Sequence, residues 1–90
     1  MSEEIQAEGF IFPLKYTVKA MGINEKSFEA LVLKIIKPHC EKIFLRSIKH
    51  KVSKNKKYLS VSIDVEVLNR EQLDSLYGEL TRNEKILMRL

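Results

Sequence analysis

Tyr58-Leu59-Ser60-Val61-Ser62-Ile63-Asp64-Val65-Glu66-Val67 is the stretch that decides the fold. Aliphatic residues hold every odd position and side chains with polar atoms every even one. A period of two belongs to a β-strand with one buried face and one open face. Such a strand needs neighbouring strands beside it and an apolar layer on one side only, so the flanking sequence has to supply both.

Toward the N-terminus, Ser53-Lys54-Asn55-Lys56-Lys57 forms a polar connector, and residues 43–52 precede it. Their alternation is imperfect, with Phe44 and Ile48 in one register and Ile43 and Leu45 in the other, which predicts a strand with a bulge or an edge position. Further back, Phe28, Leu31, Val32, Ile35 and Ile36 recur at helical spacing, and Pro38 disfavours helical geometry at Lys37 and stops the helix there. Gly22 allows a tight turn before this helix, and Asn24 is placed to cap it. Leu14, Tyr16, Val18 and Ala20 alternate with Lys15, Thr17, Lys19 and Met21 in the first strand.

Toward the C-terminus, Asn69 with Gln72 three residues later has the form of a capping box. Leu73, Leu76, Tyr77 and Leu80 mark the buried face of a second helix, with Gly78 off that face. Ile86, Met88 and Leu90 alternate with Leu87 and Arg89 in a short closing strand. The order strand, helix, strand, strand, helix, strand is a split β-α-β repeat. It predicts an α+β domain over 13–90, a four-stranded antiparallel sheet with two helices on one face. Residues 1–12 form a flexible N-terminal arm, whose Phe10 and Phe12 cover a sheet edge or helix end or meet a partner. The sheet face away from the helices carries Lys15, Thr17, Lys19, Ser60, Ser62, Asp64 and Glu66, which leaves it polar and available.

Ninety residues make one domain, and 44% apolar with 31% charged residues is the composition of a globular chain. No apolar run approaches the roughly 18 residues of a membrane span, and Met1-Ser2-Glu3-Glu4 is acidic where a secretory signal is basic, so no membrane association and a cytoplasmic location are expected. The single Cys40 cannot form an internal disulfide, in keeping with a reducing compartment. Net charge is +4, but residues 34–57 hold nine Lys or Arg against Glu41 alone.

Two places invite a ligand. Met21-Gly22-Ile23-Asn24 leads from a strand into a helix N-terminus, where free N–H groups and the positive helix end hold a carboxylate or phosphate. Arg46, Lys49, His50, Lys51, Lys54, Lys56 and Lys57 form a basic hairpin suited to phosphates. Sheets that read RNA stack bases on aromatics of the first and third strands; here Lys15, Thr17, Lys19, Ser60 and Ser62 stand there and only Tyr58 can stack, so nucleic acid is disfavoured. Lysine on an edge strand also guards against strand addition.

No metal site or cofactor is expected: His39 and Cys40 are adjacent, His50 lies a strand away, and no Cys-x-x-Cys is present. Cys40 follows a helix C-terminus, which does not activate a thiolate. With no Gly-rich phosphate loop, nucleophile elbow or isolated carboxylate pair, the chain reads as a non-enzyme.

Phe12-Pro13-Leu14-Lys15-Tyr16-Thr17-Val18-Lys19-Ala20-Met21-Gly22 resembles the opening of the YbeD-like family of small bacterial proteins. Ser60-Val61-Ser62-Ile63 is similar to that family's central strand, Glu71-Gln72 with Leu76-Tyr77-Gly78-Glu79-Leu80 to its second helix, and Met88-x-Leu90 to its ending. The lysine-rich connector and Gly78 depart from the pattern. The resemblance implies a ferredoxin-like sandwich similar to ACT regulatory domains, and a link to lipoate metabolism. Together these readings describe a non-enzymatic regulatory or adaptor module, a monomer or homodimer. It would bind a small carboxylate metabolite or a protein partner through the first strand-helix connection and the open sheet face. The alternative is a weak nucleic-acid-binding module using the basic hairpin 46–57.

Overall fold

The elements follow the expected order: β1 (Leu14–Ile23), α1 (Phe28–Ile36), β2 (Ile43–Val52), β3 (Tyr58–Val67), α2 (Arg70–Arg82) and β4 (Met88–Arg89). The computed structural model describes residues 11–89. The arm expected over 1–12 therefore lies, up to Phe10, outside the described residues, whereas Phe12 is half-buried and packed on the core.

The fold is α+β, with two helices and an antiparallel sheet carried by three strands of ten residues each. Strand order is β2-β3-β1-β4. β3 pairs with β1 along its whole length, from Leu14 opposite Val67 to Ile23 opposite Tyr58. β4 adds only Ala20 opposite Arg89 and Met21 opposite Met88. It begins two residues later than the expected closing strand, because Ile86 is drawn into the core before it; Leu90 lies outside the described residues.

The core forms on one sheet face. Leu59, Val61, Ile63, Val65 and Val67 of β3 and Val18 and Ala20 of β1 meet Phe28, Val32, Ile35 and Ile36 of α1 and Leu73, Leu76 and Leu80 of α2. Among the described residues no polar or charged residue is buried. Each buried aliphatic or aromatic side chain contributes about 1.5–3 kcal/mol before chain entropy is subtracted, so this layer is what holds the sheet flat against its helices.

The two helices begin differently. At α2 the Asn69 side chain accepts from the Gln72 N–H at 2.8 Å, as the capping pattern predicts. Gln72 in turn accepts from the Leu68 N–H at 2.6 Å and donates to the His39 carbonyl, fastening this helix start to the end of α1. At α1 the capping expectation is corrected: Ser27, not Asn24, occupies the N-cap, and no side chain caps the helix. Asn24 instead donates its N–H to Lys57 O at 2.9 Å and its amide to Lys56 O at 3.0 Å. β3 offers ladder partners as far as Tyr58, so β1 runs on through Gly22 and Ile23, and Asn24 ends up at the β2-β3 turn instead of at a helix.

Gly22 is therefore no turn residue. A Cβ there would lie 2.2 Å from Phe28 Cε1 and 2.6 Å from the Lys85 carbonyl oxygen. The glycine lets the Phe28 ring and the chain before β4 close onto β1.

β2 contains the irregularity that its mixed alternation predicts. Ile43 and Phe44 pair with Val65 and Asp64, and pairing resumes only at Lys49 opposite Ser62. Ser47 closes the interruption by donating to Phe44 O at 2.6 Å and accepting the Asp64 N–H at 2.9 Å. Those two bonds satisfy backbone groups that the broken ladder leaves unpaired.

Candidate functional site

The sheet face away from the helices is where the polar residues of β1, β2 and β3 come into register. Lys19 of β1 and Lys49 of β2 both stand opposite Ser62 of β3, one on each side. Neighbouring strands run about 4.8 Å apart, so the four-carbon stems of both lysines are long enough to bring their ammonium groups to one ligand above the Ser62 hydroxyl. Among the described residues neither lysine has an ion-pair partner and the Ser62 hydroxyl takes no hydrogen bond.

The next row is already neutralised. Thr17 donates to Asp64 Oδ1 at 2.6 Å, and Lys15 Nζ lies 3.7 Å from Asp64 Oδ2. Lys15 also sits 4.8 Å from the centre of the Phe44 ring, with Lys42 at 5.3 Å. Phe44 thus shares this face and is occupied by two cations, whereas the residue pattern alone pointed only to Tyr58, which Lys57 covers at 5.4 Å.

Two adjoining concavities mark the face. One of about 380 Å³ is lined by Thr17, Lys19, Ser47, Lys49, Ser62 and Asp64. The other, about 80 Å³, shares Lys19 and Ser62 and adds Ala20, Met21, Ser60 and Met88.

The four residues Met21, Gly22, Ile23 and Asn24 do not gather at a helix N-terminus. Met21 points onto the open face opposite Ser60, Gly22 is buried under Phe28, Ile23 is an exposed strand residue, and Asn24 is engaged with the hairpin turn. α1 starts beyond them, and Glu29 in its first turn pairs with His50. An anion held by helix N–H groups therefore has no seat at residues 21–24; only Met21 belongs to the face described above.

The basic residues divide as well. Lys49 and Lys51 lie on the open face opposite Ser62 and Ser60, Arg46 lies in the interrupted part of β2, and Lys54, Lys56 and Lys57 surround the turn. All six are exposed. His50 faces the helix side instead, toward Glu29. Lys56 adopts φ 62°, the left-handed region, inside a turn held by Lys56 N to Ser53 O at 2.9 Å and Ser53 N to Tyr58 O at 3.0 Å.

The remaining reactive groups are used structurally. His39 pairs with Glu79 at 2.6 Å across α1 and α2. Cys40 is 3% exposed, and burial pushes its thiol above the ordinary value. The Tyr16 and Tyr77 hydroxyls meet at 2.8 Å with their rings edge to face, and burial followed by the Tyr16 contact raises Tyr77. Among the described residues no three His, Cys, Asp or Glu side chains gather as metal ligands.

Ser47 and the alignment of Lys19 with Lys49 across Ser62 escaped the sequence reading. Strand alternation placed Lys19 and Ser62 on one face, but only the register on both sides of β3 shows that the two lysines share one serine.

Among the described residues no helix is long and apolar enough to cross a membrane. A family model described as "Protein of unknown function (DUF493)" matches residues 7–90. The chain is 31% identical over 90 residues to a UPF0250 protein of Nitrosomonas europaea, covering both chains completely. It is 32% identical over 75 residues to one of Neisseria gonorrhoeae, 83% of this chain and 82% of that one. A UPF0250 protein of a Janthinobacterium species is 29% identical over 87 residues, 96% of each chain. No solved structure matches. With a match over nearly its whole length, and with the YbeD-like segments quoted from its sequence, the chain belongs to the DUF493 family.

Proposed function

We propose that the protein is a non-enzymatic regulatory or adaptor module that binds a small carboxylate metabolite on the open face of its sheet. The observation carrying this reading is the row Lys19, Ser62, Lys49, in which two cations without partners among the described residues flank one free hydroxyl. Such a row offers charge-assisted hydrogen bonds to an oxyanion from a rigid three-strand platform. Strand order β2-β3-β1-β4 and the burial of both helices against one face support the finer description, a ferredoxin-like sandwich of the ACT-like kind. With the Cys40 thiol buried and His39 and His50 paired to Glu79 and Glu29, the Ser62 hydroxyl has no imidazole beside it among the described residues to activate it, which favours binding over turnover.

Titrating succinate into the isotopically labelled full chain at low salt tests this. The backbone amides of Lys19, Lys49 and Ser62 shift together, and Lys19→Gln with Lys49→Gln abolishes the shifts. Shifts confined to the turn, or none with millimolar succinate and none with the monocarboxylates acetate and hexanoate, overturn the reading.

A second reading rests on the exposure of Arg46, Lys49, Lys51, Lys54, Lys56 and Lys57, none ion-paired among the described residues. Six cations along one hairpin favour a nucleic-acid backbone, with a strong salt dependence. Fluorescence anisotropy with labelled RNA decides it: binding that Lys54→Glu, Lys56→Glu and Lys57→Glu abolish supports this reading, and its absence at low salt removes it.

A further inference from the structure

We infer that the anion taken by the open face carries a short apolar tail, and that Met21 and Met88 form the shelf on which the tail lies. This rests on the binding reading just given and adds the class of ligand: an amphiphilic monocarboxylate in place of a compact, fully polar anion.

The inference comes from what adjoins the Lys19, Ser62, Lys49 row on either side. Toward Asp64 the groove is polar and carries a carboxylate that Lys15 pairs with and Thr17 hydrogen-bonds. A second anionic group or an alkyl tail extending that way would meet a carboxylate or strip it of water. Toward Ser60 the surroundings change. Met21 stands opposite Ser60 on one side and Met88 on the other, so two thioether side chains lie in adjacent strands beside the lysine row. The smaller concavity begins at Lys19 and Ser62 and ends at Met21 and Met88, so it runs directly out of the anion seat.

Methionine suits this role because its unbranched, polarizable side chain moulds to apolar groups of different shape. Met88 is 49% exposed although it is paired to β1 and flanked by the core residue Ile86, so it spends apolar surface on this face that its neighbour buries. The polar end of the seat and its apolar end thus share Lys19 and Ser62. One ligand with a carboxylate at one end and a few methylenes at the other spans both.

Four probes test it on the full chain by amide shift titration: acetate, hexanoate, succinate and hexylamine. Half-buried methylenes contribute a factor of about two each, so hexanoate is expected to bind at least about tenfold more tightly than acetate. Its shifts should extend from Lys19 and Ser62 to Met21 and Met88. Lys19→Gln should weaken acetate and hexanoate alike, and Met88→Gln should reduce their difference to less than about threefold while leaving acetate unchanged. Met88 is exposed, so this variant folds, and an unchanged spectrum elsewhere verifies that. Equal affinity for acetate and hexanoate at Lys19 and Ser62 overturns the tail while the carboxylate reading stands. Hexylamine binding as well as hexanoate overturns the anion-and-tail ligand by showing a merely greasy surface, and succinate binding more tightly than hexanoate overturns it by showing a seat for a compact polar anion. Silence of the whole face toward all four probes overturns the underlying reading together with this one.

Discussion

The two faces of β3 are built from alternate residues of one strand and are held by different forces. Leu59, Val61, Ile63, Val65 and Val67 are at most 8% exposed and lie beneath both helices. Tyr58, Ser60, Ser62, Asp64 and Glu66 are only half-covered, and what covers them is the side chains of neighbouring strands. The difference separates residues that hold the fold from residues that face outward within a single ten-residue segment. Free energy of folding is concentrated on one face, so the other can carry hydroxyl and carboxylate side chains whose replacement costs the fold little.

The strongest way to break the comparison is to exchange the faces' tolerance. Ile63→Ala should lower unfolding free energy by about 2–5 kcal/mol, because it removes buried methyl groups under rigid helices and leaves a cavity. Ser62→Ala next to it should change stability by less than about 0.5 kcal/mol. Urea denaturation of both variants measures the pair, and similar losses would show that the open face is covered in solution.

Gly22→Ala extends the comparison to β1. The added methyl meets the Phe28 ring and the Lys85 carbonyl, so a loss of about 1–3 kcal/mol is expected from overpacking on the covered side. Were Gly22 a turn residue free of contacts, the same substitution would be close to neutral.

A smaller effect of opposite sign is expected at the tip of the hairpin. Lys56 holds a left-handed backbone at φ 62°. Lys56→Gly relieves about 1–2 kcal/mol of that cost but adds about 0.4–1 kcal/mol of unfolded-chain freedom, for a net gain of about 0.5–1 kcal/mol. Thermal unfolding reads it, and a lower melting temperature would mean that the lysine side chain itself stabilises the turn.

The covered face sharpens further with pH. Cys40 and Tyr77 are both raised above their ordinary values of 9.0 and 10.0, chiefly by burial. A group whose folded value is raised stabilises fully below its unfolded value, and that contribution declines as pH climbs past it. Stability should therefore fall from about pH 9 upward, and Cys40→Ala should delay the onset toward the tyrosine range.

The covered face was almost wholly legible, because strict alternation at 59–67 and helical spacing at 28–36 and 73–80 report burial directly. Asn69 with Gln72 was legible for the same reason, since both ends of the cap lie within one local pattern. The failures all involve distant partners. β1 runs two residues past its expected end because β3 pairs with it there, and that pairing converts the expected turn and cap into a strand end tied to Lys56 and Lys57. The need for glycine at 22 was visible, but its cause, a ring arriving from α1, was not. The candidate seat was half legible: each residue's face followed from alternation, while the alignment of Lys19 and Lys49 across Ser62 depends on a register that no local pattern encodes.

The interruption in β2 has a geometric effect on that alignment. Between its paired ends β2 advances five residues while β3 moves two, so an odd number of supernumerary residues is absorbed and the parity of the strand inverts. Before it, even-numbered side chains of β2 look outward, as Phe44 does; after it, odd-numbered ones do. Ser47 staples the excess residues, and beyond it Lys49 faces outward opposite Ser62 while His50 faces inward to Glu29. Because the turn closed by Ser53 and Tyr58 fixes residues 49–52 against β3, deleting a single residue there would leave the Lys49 ammonium in place and instead reorient the opening of the strand at Ile43 and Phe44.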